Sequence, residues 1–97
     1  MLFKEFIIQS REQLLLPQRK LAEALDIDTA TYFKIEKGER RVKREQIRIV
    51  AEVLNINESE LRTLWLADQI VEIMANEQEI LNNVLGLVKN VKKVTWN

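Results

Sequence analysis

Residues 17–38, PQRKLAEALDIDTATYFKIEKG, decide the fold. They read as two short helices joined by a tight turn. Leu21, Ala22 and Leu25 recur at one-turn spacing and define the buried side of the first helix. Pro17 suits its first turn, where no backbone N–H bond is needed. Asp26 can take the left-handed conformation that a sharp turn demands, though less comfortably than Gly. Ile27 plugs the angle between the helices, and Asp28 is a good N-cap for the second. Tyr32 and Ile35 then face inward, and Gly38 ends the helix in the conformation that suits a C-terminal Gly.

On the N-terminal side, residues 2–13 predict an amphipathic helix with Leu2, Phe3, Phe6, Ile7 and Ser10 along one side. Leu14, Leu15 and Leu16 form a hydrophobic link into the motif. On the C-terminal side, Glu39-Arg40-Arg41-Val42 leads into a fourth helix over 43–54, with Ile47, Val50, Ala51 and Leu54 inward. Asn57, with Glu60 three residues on, is a capping-box-like restart. The chain then reads as helical to about 94. A break falls near 75–77, where Asn76 and Glu79 suggest another cap. The helix beyond it carries Ile80, Leu81, Val84, Leu85, Leu87, Val88, Val91 and Val94, too apolar a set to stand alone in water. Trp65 and Trp96 read as packing anchors. Gly86 is either a close-crossing point or a tolerated defect.

Composition narrows the function classes. Ninety-seven residues suit one domain with a small appendage. Two glycines and one proline favour long helices and few loops. The absence of Cys excludes disulfides and thiolate metal sites. The absence of His removes the commonest general base and zinc ligand. No nucleophile–base pair or phosphate-cradling Gly-rich loop emerges, so neither an enzyme nor a cofactor, metal or small-molecule ligand is expected. The N-terminus is too short and too charged for a signal peptide, and no apolar run reaches membrane-spanning length. A soluble intracellular protein is the default expectation.

Formal net charge is zero, but it is unevenly spread. Residues 34–48 hold seven basic side chains against three acidic ones, a net of +4. Residues 49–88 hold one basic side chain against seven acidic ones, a net of −6. Such a dipolar chain presents one end to a polyanion.

The spacing over 17–38 is that of a helix-turn-helix, and residues 3–62 resemble the lambda-repressor-like, or XRE, family. Gln18, Leu21-Ala22, Ile27 and Ile35-Glu36-Lys37-Gly38 carry the resemblance. It implies an all-α, five-helix lambda-repressor-like domain over 1–62, with 63–97 left as a C-terminal helical extension for dimerisation. It also implies that Arg11 pairs with Glu36 away from water. The residues agree, because Glu36 sits beside inward-facing Ile35 and a half-buried carboxylate needs a cation; the alternative is an ordinary surface pair.

The second helix of the motif is the candidate recognition helix. With Tyr32 and Ile35 inward, Thr29, Ala30, Phe33 and Lys34 face out, at the positions that the resemblance makes base-reading. Lys34 suits guanine O6 and N7, and the other three suit thymine methyl groups. Phe33 stands where the family usually has a polar residue, so packing on a neighbour is its alternative reading. Gln18, at a helix N-terminus, is a phosphate contact by resemblance, and Arg19 is a further candidate. Arg40, Arg41, Lys43 and Arg44 suit flanking phosphates.

The apolar set Ile80, Leu81, Val84, Leu85, Val88 and Val91 is read as a homodimer interface, with capping of the chain's own core and binding of another protein as alternatives. The expected partner is double-stranded DNA. The expected function is a sequence-specific transcriptional regulator acting as a homodimer on a two-fold symmetric operator, resembling phage repressors or restriction–modification controller proteins; the resemblance implies a cytoplasmic, nucleoid-associated protein of bacterial or phage origin. The competing reading is a module of the same fold, or an antitoxin, whose main role is to bind a protein.

Overall fold

The computed structural model describes residues 1–91, and every element among them is helical. The helices are α1 (Leu2–Gln13), α2 (Gln18–Leu25), α3 (Thr29–Lys37), α4 (Ile47–Leu54), α5 (Glu58–Ile73) and α6 (Leu81–Asn90). Single 3-10 turns precede α4 at Arg44–Gln46 and α6 at Gln78–Ile80. The described residues are all-α: five helices that share one core, followed by an additional helix.

One core joins α1 to α5. Phe3, Ile7, Leu21, Ala22, Leu25, Tyr32, Ile35, Val42, Ile47, Val50, Ala51, Leu54 and Leu61 are buried in it. The one-turn periodicity of α2 and α4 thus becomes two apolar faces packed together, with α1 and α5 closing the other side.

Four turns shape this core by the same device. Leu15, Asp26, Gly38 and Asn55 are left-handed, with φ of 56°, 57°, 82° and 56°. At each, the following N–H bonds back to a carbonyl in the last turn of the preceding helix: Leu16 to Arg11, Ile27 to Ala22, Glu39 to Lys34 and Ile56 to Ala51. This pairing satisfies carbonyls that a helix end leaves open. Leu16, Ile27 and Ile56 then turn inward against the core.

The helix starts are also held by side chains. The Thr31 N–H donates to Asp28 Oδ1 at 2.6 Å, and that bond holds the Asp28 carboxyl below its ordinary range. The Glu60 N–H donates to Asn57 Oδ1 at 2.9 Å.

Several expectations need correction. Pro17 precedes α2 rather than occupying its first turn. Leu15 does not join a hydrophobic link, because its left-handed turn leaves it 89% exposed; only Leu16 of the three packs on the core. The fourth helix opens as a 3-10 turn. Asn76 caps nothing, although the break falls between Ile73 and Gln78, where it was expected. The last helix stops at Asn90, since Val91 is extended; Val94 and Trp96 lie outside the described residues. The boundary drawn at 62/63 falls inside α5, which runs on without a break.

No residue of α6 is buried, which removes the reading that this helix caps the chain's own core. Ile80, Leu85, Val88 and Val91 are exposed, and Leu81 and Val84 are half-buried. A methyl group at Gly86 would meet nothing within 4 Å in the single chain.

Candidate nucleic-acid interface

The interface is built on α3, whose inner side is fixed by an unusually dense polar contact. Glu36 is only 8% exposed, yet it accepts four hydrogen bonds. Arg11 donates Nε to Oε2 at 2.7 Å and Nη2 to Oε1 at 3.0 Å. The Tyr32 hydroxyl donates to Oε2 at 2.6 Å, and Gln18 Nε2 donates to Oε1 at 2.9 Å. Arg11 also donates Nη1 to the Leu16 carbonyl at 2.8 Å. The carboxylate therefore ties α1, α2 and α3 together.

Burial, the largest single influence, pushes the Glu36 carboxyl up. The hydrogen bonds from Arg11, Tyr32 and Gln18 outweigh it, so the group stays below the ordinary carboxylate range and charged. Burial and the same carboxylate push the Tyr32 phenol up, which keeps it a donor. The bond to Glu36 raises the Arg11 guanidinium further.

With Tyr32, Ile35 and Glu36 turned in, the opposite side of α3 is open. Thr29, Ala30, Phe33 and Lys34 are all exposed there. Phe33, at 46% exposure, has Lys37 Nζ 5.3 Å from its ring centroid. The ring is thus both exposed and packed against its i+4 neighbour, and the cation faces its π-system favourably.

Gln18 and Arg19 open α2. One Gln18 amide hydrogen is committed to Glu36; the amide carries a second, directed elsewhere. Arg19 is exposed and meets Glu23 at 3.7 Å, a surface contact of little energetic weight.

Arg40, Arg41, Lys43 and Arg44 are exposed on the segment that leaves α3. Among the described residues Arg40 and Arg44 make no ion pair, whereas Arg41 is paired with Glu72 of α5. The Lys43 N–H donates to Gln46 Oε1 at 2.7 Å, which anchors the turn into α4. Among the described residues no three acidic side chains converge as metal ligands would.

Three contacts from α5 went unread in the sequence. The indole N–H of Trp65 donates to the Val42 carbonyl at 2.9 Å. Buried Asp68 accepts the backbone N–H groups of Leu2 and Phe3, both at 2.9 Å, and so caps α1 from across the fold. Glu72 holds Arg41. The available signal was periodic: Leu61, Trp65, Asp68 and Glu72 recur at one-turn spacing, and a carboxylate on an otherwise inward stripe calls for a donor.

Fold and surface define a helix-turn-helix domain with an open second helix flanked by arginines. A family model described as Helix-turn-helix matches residues 7–61, more than half of the chain, and the chain belongs to that family, of the XRE or lambda-repressor-like type. The family is one of DNA-binding regulators. Comparison with curated proteins and with solved structures gave no match.

Proposed function

We propose that this chain is a sequence-specific transcriptional regulator, acting as a homodimer on a two-fold symmetric operator in the manner of a phage repressor or a restriction–modification controller. The observation that carries the reading is the outer side of α3. Thr29, Ala30, Phe33 and Lys34 are exposed there, next to the exposed basic segment 40–44, in a family of DNA-binding regulators. An α-helix fits the major groove, and its early residues reach base edges. Lys34 donates to guanine acceptors; Thr29, Ala30 and Phe33 contact thymine methyl groups. Gln18, with its spare amide hydrogen, joins Arg19, Arg40, Arg41, Lys43 and Arg44 on phosphates. A single half-site offers few contacts, so two subunits supply the specificity, with their helices about one helical turn of DNA apart. Bound protein then blocks polymerase or recruits it by touch.

The test is selection of bound duplexes from a random pool, followed by the same selection with two variants. A two-fold symmetric consensus is expected. Lys34→Ala should change the consensus; Arg40→Ala should weaken every sequence alike and lower the salt slope by about one phosphate. Identical effects of the two variants would refute the division of roles. No binding to any duplex even at low salt would favour the protein-binding alternative.

A further inference from the structure

Trp65, Asp68 and Glu72 lie three and then four residues apart, on one face of α5. All three lie beyond residue 61, where the family match ends. Yet each reaches back into the domain: Trp65 to the Val42 carbonyl, Asp68 to the start of α1, Glu72 to Arg41. The segment after the recognition helix is therefore gripped by a helix that is only partly the family's own. Of the four basic residues offered there to phosphate, Arg41 is the one whose guanidinium an acidic side chain already engages.

We infer that Glu72 is an internal competitor for DNA phosphate, limiting sequence-independent affinity by occupying Arg41. The inference rests on the DNA-binding reading above and names a regulator of that same surface. Carboxylate and phosphate engage a guanidinium through the same charge-assisted N–H bonds. A phosphate must therefore displace Glu72 or share Arg41 with it, and the cost falls on every sequence equally. Both side chains are partly exposed, so the competition is moderate: relief of a surface ion pair should tighten binding by up to about five-fold per bound subunit.

The experiment compares four full-length proteins on a random-sequence duplex across a salt titration: the unaltered chain, Glu72→Gln, Arg41→Ala and the double variant. Circular dichroism first establishes that all four are folded. Glu72→Gln should bind about two- to five-fold tighter per bound subunit, because Arg41 then meets phosphate without first leaving a carboxylate. The gain should vanish when Arg41 is already alanine. No gain, or an equal gain in both backgrounds, would overturn the inference; the latter would mean only that a negative charge had left the neighbourhood of DNA. Absence of duplex binding by all four would instead overturn the DNA-binding reading, and the competitor role with it.

Discussion

Glu36 shows how a single side chain can fix a surface that it never reaches. Its four hydrogen bonds come from three helices, and they set which way α3 turns its outer residues. Removing Arg11 would leave a charge stranded at a site where water cannot replace it. Arg11→Met should therefore cost about 3–5 kcal/mol, read from urea denaturation at neutral pH. Against a typical total of about 5–15 kcal/mol, that loss brings the domain close to unfolding. Acid should act on the same contact. The folded-state value of Glu36 is lower than the ordinary 4.5, so its contribution is full above that value and is lost as pH falls through the folded one. Glu36→Gln should lower stability at neutral pH and flatten the acid limb of the stability curve; an unchanged limb would place the acid sensitivity elsewhere. The Arg11–Glu36 pair was legible because Glu36 follows an inward Ile35 and the family resemblance supplies its partner. The Tyr32 and Gln18 bonds were not, because they depend on how helices cross, which no spacing records.

Among the elements, the helix ends show most clearly what sequence reveals and what it conceals. Gly38 and Asp26 announced their left-handed turns through residue type, since Gly carries no Cβ penalty and Asp tolerates the region. Leu15 gave no such signal. A leucine carries no side-chain acceptor to favour the turn, so three leucines in a row read as a hydrophobic link. The core imposes the turn instead, by drawing in Leu16. Leu15→Gly should accordingly raise stability by up to about 1 kcal/mol, since relief of a left-handed strain of about 1–2 kcal/mol exceeds the added freedom of the unfolded chain. Gly38→Ala should do the reverse, by about 1–2 kcal/mol. At Gly38 the nearest atoms to a new Cβ are ends of flexible side chains, Lys4 Cδ and Met1 Sδ at 3.3 Å, so φ rather than crowding sets the cost. Thermal unfolding of both variants checks the pair of signs; a destabilised Leu15→Gly would mean that the exposed leucine has a partner. The open side of α3 was readable from Tyr32 and Ile35 alone. The grip of α5 was not, because Asp68 and Glu72 are only two of seven acidic residues over 49–88, and charge counting does not tell which of them turns inward.

The whole molecule is longer than a compact chain of its size. Its radius of gyration is 15.6 Å, against about 12.5 Å expected for a globule of this length. At its C-terminal side, α6 buries none of its residues and leaves Leu87 71% exposed. Between α6 and the end of α5 lies a groove lined by Ile70, Val71, Met74, Leu81 and Leu85. An apolar surface of this extent in water calls for a partner. A second copy fits the proposed function, because helix-turn-helix dimers set their two recognition helices in successive major grooves. Leu81→Glu with Val88→Glu should then give monomers in sedimentation equilibrium, with helical content kept, since neither position belongs to the buried core. Two carboxylates per subunit would have to be desolvated at the contact, a cost that a standard interface of about 1,600 Å² does not absorb unpaired. Operator affinity should fall much more than affinity for random duplex, because losing the dimer removes one set of base contacts while each subunit keeps its phosphates. An unchanged oligomer would move the two-fold axis to another face; monomers from the unaltered chain would leave the apolar end for a different protein.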